Sequence, residues 1–429
     1  MRIIYNFFLY LLLPIVIFRL YYQSIRVPAY SNRVRERFGW YPDLCLEQPV
    51  IWIHAVSVGE VYAAKPLIKL IRKQYPGFAL LVTTMTLTGA RIVEQQLGDS
   101  VYHLFVPYDL PGAVKRFIYC IKPQLLIAME TEVWPNIFFY CNKNNIPVVM
   151  ANARLSEKSF RGYKYLSGFT KEVLSNVSMI IARSKVDAEY FIRLGINTDR
   201  VKVSGNLKFD VELPENIQQQ ANILRRETQL DRPVWIAAST HNNEEEVILA
   251  AFKEVIGTFP DCLLIIAPRH PTRADSIASL VINSGLTVKR KSQNTKLSDD
   301  IQVYILDTLG ELTLYYALAD LAFVGGSIVP VGGHNVLEPA SLGIPVITGP
   351  HNYNFLEICK LLEDSGALWV VDDAVQLINK VNLLLADTEL RQNAGKKGRE
   401  IVESNRGSAR RVMHFLQDFL SKNATSGNT

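Results

Sequence analysis

The 429-residue chain contains no C-x-x-C pair. Its five cysteines, at positions 45, 120, 141, 262 and 359, are scattered along it. That argues against a disulfide scaffold and a cysteine zinc site, and for a reducing compartment. Neither G-x-G-x-x-G nor G-x-x-x-x-G-K-[ST] occurs, so NAD-type and P-loop readings lack their signature. The net charge is only +5, too mild to point to nucleic acid. With 24 glycines and 20 prolines the chain is neither collagen-like nor of low complexity. It is 48% hydrophobic, and at roughly 150 residues per domain it has room for two or three domains.

The one long apolar run, residues 3–18, is broken only by Asn6 and Pro14 and falls just short of the ~17–25 residues that span a bilayer. Arg19, Arg26, Arg33, Arg35 and Arg37 follow it, with Glu36 alone against them. By the positive-inside rule the rest of the chain then lies in the cytoplasm. Arg-Leu-Tyr-Tyr stands where a signal peptide would have a small-residue cleavage site. The run therefore reads as an uncleaved anchor, either spanning or lying in the interface; a buried core helix is the alternative.

From residue 50 on, short Val/Ile-rich runs alternate with helix-length amphipathic stretches, the pattern of parallel sheets covered on both faces. The runs form two sets: 50–56, 79–83, 101–106, 125–129, 147–151, 179–182 and 201–204, then 234–238, 262–267, 286–289, 303–306, 321–324, 345–347 and 367–371. A polar helical stretch, 212–230, separates them. The expectation is two doubly wound α/β domains with a ligand cleft at the carboxyl ends of their strands, an all-helical stretch from about residue 372, and a frayed tail.

Several constellations sit at predicted strand ends. Glu60 follows the first strand at a helix N-terminus, where a carboxylate can take a proton from a substrate hydroxyl or merely complement the helix dipole. Glu130 and Glu132 emerge at spacing two after the fourth strand, and alternation points them to one side; such a pair can divide acid and base roles. Alternatively Glu132 caps the helix that begins near Trp134-Pro135. Lys208, in Gly205-Asn206-Leu207-Lys208, can reach a phosphate or carboxylate, or is a surface lysine. Arg269 and His270 leave a buried strand on a Pro-stiffened turn, and arginine suits bidentate recognition of an anion. In residues 323–339 a strand leads through four glycines into a helix, so backbone N–H groups form an anion site, and Glu338 is placed to accept from a ribose diol. No metal-ligand spacing stands near His270.

The strings HAVSVGE (54–60), TTMTLTG (83–89), PYDLPGAVKRF (107–117), ETEVWPN (130–136), NARLSEKS (152–159), GNLKFD (205–210), ASTHNNEE (238–245), PRHPTR (268–273) and GGSIVPVGGHNVLEPA (325–340) together resemble the 3-deoxy-D-manno-octulosonic acid (Kdo) transferase family. The resemblance covers nearly the whole chain. It implies a GT-B fold: an anchor at 1–22, an acceptor-binding Rossmann-like domain at 23–211, a CMP-Kdo-binding one at 212–420 and a flexible tail at 421–429. It further implies inverting transfer of Kdo from CMP-Kdo to lipid IVA in lipopolysaccharide biosynthesis, at the cytoplasmic face of a bacterial inner membrane, without cofactor or metal.

Matched string by string, the resemblance makes Glu60 the catalytic base and Glu130 and Lys208 groups that stabilise the transition state. CMP contacts fall on Pro268 and Arg269, on Leu309, Gly310 and Glu311, and on Asn335, Val336, Leu337 and Glu338. Thr272 and Val331 depart from the family's usual acidic and basic residues without touching these assignments. The competing readings are another GT-B enzyme, such as a UDP-sugar transferase or UDP-sugar 2-epimerase, and a periplasmic-type sugar-binding protein.

Overall fold

The computed structural model describes residues 1–26, 28–41, 46–228, 230–293 and 300–424. Cys45 and the last five residues of the expected tail lie outside the described residues. The chain divides into two compact units, Met1–Asp210 with Asn405–Thr429, and Val211–Ser404.

The first unit holds one parallel sheet of β1 (Val50–His54), β2 (Ala79–Thr84), β3 (Tyr102–Phe105), β4 (Pro123–Met129), β5 (Val148–Ala153), β6 (Met179–Ala182) and β7 (Val201–Val203), in the order β3-β2-β1-β4-β5-β6-β7. The second holds β8 (Val234–Thr240), β9 (Leu263–Pro268), β10 (Val288–Arg290), β11 (Val303–Ile305), β12 (Leu321–Val324), β13 (Val346–Thr348) and β14 (Leu368–Val370), in the order β10-β11-β9-β8-β12-β13-β14. Both are doubly wound α/β domains, as expected. Every position of β1 and β2 is buried, since helices cover both faces of the sheet. Alternate residues feed opposite layers: Trp52, Leu81 and Leu126 pack with Phe117 and Phe138, while Ile51, Ile53 and Ile127 pack with Val61 and Leu67. Strand order reverses between β1 and β4 in the first sheet and between β8 and β12 in the second. Such switch points open a crevice at the strands' carboxyl ends.

One boundary differs from the sequence reading, which kept residues up to 420 in the second domain. The helix Ser408–Ala424 returns to the first unit. Its Val412, Met413 and Leu416 pack beside Val61, Ala64 and Ile68. Asp210, the last residue before the second unit, accepts hydrogen bonds from the N–H groups of Gly407 (2.6 Å) and Ala409, and Arg411 donates to the Ser204 carbonyl at 2.6 Å. The apolar stripe that binds this helix has no sequence mark telling which sheet it covers. The helix also carries residues 421–424, which the sequence reading gave to the tail.

The N-terminal helix runs Arg2–Arg26, through Pro14. Its window Arg2–Tyr22 has mean hydropathy 2.1 and is long and apolar enough to cross a membrane.

Candidate active site

β1 delivers its chain to Ser57, which caps the helix Val58–Gln74 and so places Glu60 in its first turn. The Ser57 hydroxyl oxygen accepts from the Glu60 N–H at 3.4 Å, and Glu60 answers: its Oε1 accepts from the Ser57 hydroxyl (2.7 Å) and its Oε2 from the Val56 N–H (2.8 Å). This reciprocal cap folds the Glu60 carboxyl back into the protein, leaving the residue 5% exposed. Burial first, then the charges of Glu132 and Glu130, outweigh those hydrogen bonds and push its pKa up to about 8. A carboxyl of that kind titrates where a general base near neutrality must.

Across the switch point, β4 ends at Met129 and Glu130 turns into the left-handed region, φ +51°. A non-glycine residue there is strained, and such strain gathers at functional sites. The turn ends the alternation that would have paired Glu130 with Glu132. Glu132 instead accepts from Trp134 Nε1 at 2.8 Å and, through its burial first, has a raised pKa. It does not cap the helix Pro135–Lys143. That task falls to Asp109, which sequence reasoning missed: its carboxylate accepts from the N–H groups of Asn136 and Ile137, both at 2.9 Å.

Lys208 stands on the loop after β7, fixed by Asn206, whose Oδ1 accepts the Lys208 N–H, and by Asn152, whose Oδ1 accepts the Leu207 N–H. Its Nζ lies 3.9 Å from Glu130 Oε1, and Arg154 Nε lies 3.9 Å from Glu130 Oε2. Burial lowers the Lys208 pKa, with Glu130 pulling the other way. The structure thus brings Glu60, Glu130 and Lys208 together beyond the carboxyl ends of the first sheet's strands and adds Arg154, which the sequence reading passed over within NARLSEKS. Lys208 is half-buried beside Glu130 and is not a surface lysine.

In the second unit, Pro268 ends β9 with its side chain buried, and Arg269 follows, its N–H donating to the Thr240 carbonyl at 3.0 Å. Leu309 is 82% exposed, and Gly310 (φ +86°) turns the chain into Glu311, which receives Lys291 Nζ at 3.4 Å. Asn335 accepts from the Leu337 N–H and donates to Glu338 Oε1 at 3.0 Å. Val336 and Leu337 have wholly buried side chains, so only their backbones can meet a ligand.

The expected anion site on the first glycine pair is corrected by Glu244. This fully buried carboxylate accepts four N–H groups, those of His241, Gly326, Ser327 and Ile328, at 2.7–2.9 Å, and so fills that cradle itself. Beside it, Glu245 takes a bidentate pair from Arg273 at 2.7 and 2.9 Å and the Thr240 hydroxyl at 2.7 Å. His334 and His241 stack, Nε2 to Nε2 2.8 Å, and burial pushes His334 down to about 3, so the ring is neutral. Three consecutive glutamates, Glu244, Glu245 and Glu246, opening the helix Glu244–Thr258 are the sequence signal for this arrangement.

Two family models match the chain: 3-deoxy-D-manno-octulosonic-acid transferase (kdotransferase) over residues 32–211, and glycosyl transferases group 1 over 237–401. A 3-deoxy-D-manno-octulosonic acid transferase of Haemophilus influenzae is 38% identical over 424 residues, 98% of this chain and 99% of its own. One from Bordetella pertussis is 34% identical, covering 86% of this chain and 87% of its own. Among solved structures, a UDP-GlcNAc 2-epimerase from Neisseria meningitidis matches with TM-score 0.55 and 14% identity over 86% of this chain and all of that one, a likeness of fold alone.

Proposed function

The chain belongs to the Kdo transferase family of glycosyltransferases, and from that membership we propose that it moves Kdo from CMP-Kdo to lipid IVA with Glu60 as general base. The observation that carries the mechanistic part is the buried Glu60 carboxyl, pushed up to about 8 beside a Glu130–Lys208 pair at the switch point of the first sheet.

The ionised Glu60 takes the proton from the acceptor sugar hydroxyl as that oxygen attacks the anomeric carbon of Kdo. The bond to the CMP phosphate breaks on the opposite face, so a single displacement inverts the centre. Lys208 and Arg154 supply positive charge where the acidic sugar and the phosphorylated acceptor bring negative charge, and Glu130 holds Lys208 in place. In the second unit, Arg269 suits the departing phosphate and Glu338 the cytidine ribose, with no metal required. On this reading the N-terminal helix holds the first unit at the inner membrane, on the cytoplasmic side, and Arg19 and Arg35, both exposed, meet anionic headgroups.

Incubating the purified chain with CMP-Kdo and lipid IVA, then weighing the products, tests the reading. A mass gain of one or more Kdo units supports it. Transfer from a UDP-sugar, or calorimetric preference for UDP over CMP, favours a different GT-B activity and overturns it.

A further inference from the structure

The N-terminal helix is fixed to the first unit at its start, and the chain that follows the helix is fixed to the same unit. At its start, the Tyr5 hydroxyl donates to Asp109 Oδ2 at 2.9 Å, and Asn6 Oδ1 accepts from Asn136 Nδ2 at 2.7 Å. The Tyr5 ring lies 5.7 Å from that of Phe169, and the Met1 amine is 3.6 Å from Glu172. Beyond its end comes the 3-10 helical segment Pro28–Phe38, whose Arg37 donates to the Met85 carbonyl at 2.6 Å. Between the ends, Tyr5, Leu9, Leu13 and Val16 are half-buried and Leu20 is buried, one stripe at helical spacing. Ile3, Phe7, Leu11, Ile15 and Phe18 are each 60% exposed or more, on the opposite face.

From Tyr5 to Arg26 the helix rises about 31 Å, the thickness of a bilayer's hydrocarbon core. Were it to cross the bilayer, Tyr5 would sit at the far face from Arg26. Asp109, however, also caps the helix Pro135–Lys143, and Glu172 and Asn136 belong to the same compact unit. One folded unit with a polar surface cannot reach both faces of a membrane, because its unpaired polar groups would enter hydrocarbon.

We propose that the helix does not span: it lies in the plane of a single leaflet, its Tyr5–Leu20 stripe against the acceptor-binding unit and its Ile3–Phe18 face in the lipid acyl chains. This rests on the membrane reading above and sharpens it. The occupant of the exposed face is lipid, because Arg19 and Arg35, both exposed, provide charges for anionic headgroups. Seating follows as well: Asn136, held by Asn6, begins the helix that follows Glu130–Glu132, so the depth of the anchor sets the height of that loop above the leaflet.

Spin labels placed singly at residues 3, 7, 11, 15 and 18, in the full chain with Cys45 and Cys120 replaced by serine, test this in phosphatidylethanolamine–phosphatidylglycerol vesicles. Oxygen and water-soluble nickel accessibilities give each label's depth. The expected result is five similar depths, about 5–10 Å below the headgroups. A gradient of about 22 Å from residue 3 to residue 18, or a maximum depth near residue 11 with residue 3 open to nickel, means a spanning helix and overturns the proposal. Five labels all open to nickel, on protein that does not float with the vesicles, would remove the membrane reading itself.

Discussion

Lys208 Nζ stands 3.9 Å from Glu130 Oε1, and both groups act electrostatically on the buried carboxyl of Glu60. The ammonium shares with Arg154, also 3.9 Å from Glu130, the compensation of this cluster of carboxyls. Lys208→Met therefore has two consequences. Loss of a charge-stabilising donor costs about 10²-fold in kcat. Removal of a positive charge also raises the Glu60 pKa further, so the pH at which activity becomes half-maximal moves upward. A rate profile against pH checks both, and a purely structural lysine would change the rate without displacing the profile.

Glu60→Gln keeps shape and most hydrogen bonding but abolishes basicity. Transfer is expected to fall about 10²- to 10⁴-fold, with CMP affinity unchanged by calorimetry because the second unit is untouched. Near-normal turnover in this variant would falsify the base assignment.

The same carboxyl links stability to pH. Its folded pKa, about 8, lies above the unfolded value of 4.5, so the folded chain binds this proton more tightly. Its contribution is fully present below about pH 4.5 and is lost as pH rises through about 8, a change of a few kcal/mol at most. Between about pH 5 and pH 9, Tm of the parent chain is expected to fall more steeply than that of Glu60→Gln, while transfer in the parent rises over the same interval. Parallel melting curves for the two proteins would contradict the raised pKa.

Much of this was legible in the residues. All fourteen apolar runs are strands, because strands buried on both faces need continuous Val, Ile and Leu such as VIWIH and ALLVTT. Glu60 was visible as a candidate from its place after β1, where it caps its helix with Ser57 and is buried by doing so. What escaped depends on pairings distant in sequence. Asp109 gives no local sign that it caps a helix 27 residues on, and Asp210 none that it binds a chain that returns after almost two hundred. Spacing two suggested alternation for Glu130 and Glu132, but the left-handed backbone at Glu130 is a local departure that propensity does not reveal.

Glu244 was hidden for the same reason, and it offers the sharpest test of how the second unit is built. Its two oxygens each accept two backbone N–H groups, and all four donors are fixed in the loops after β8 and β12. Glu244→Gln replaces one acceptor oxygen with an NH2, setting donor against donor at either His241 and Gly326 or Ser327 and Ile328. Two buried N–H groups then lose their partner, at about 1–3 kcal/mol each. Gly325→Ala attacks the same contact from the other side, since a Cβ there would stand 2.8 Å from Glu244 Oε2 and 2.9 Å from the Ser239 carbonyl oxygen. Both variants are expected to lower Tm and to weaken CMP binding while leaving the Glu60 pH limb in place for the residual activity. Wild-type CMP affinity in a destabilised Glu244→Gln protein would show that the glycine segment shapes the fold but not the donor site.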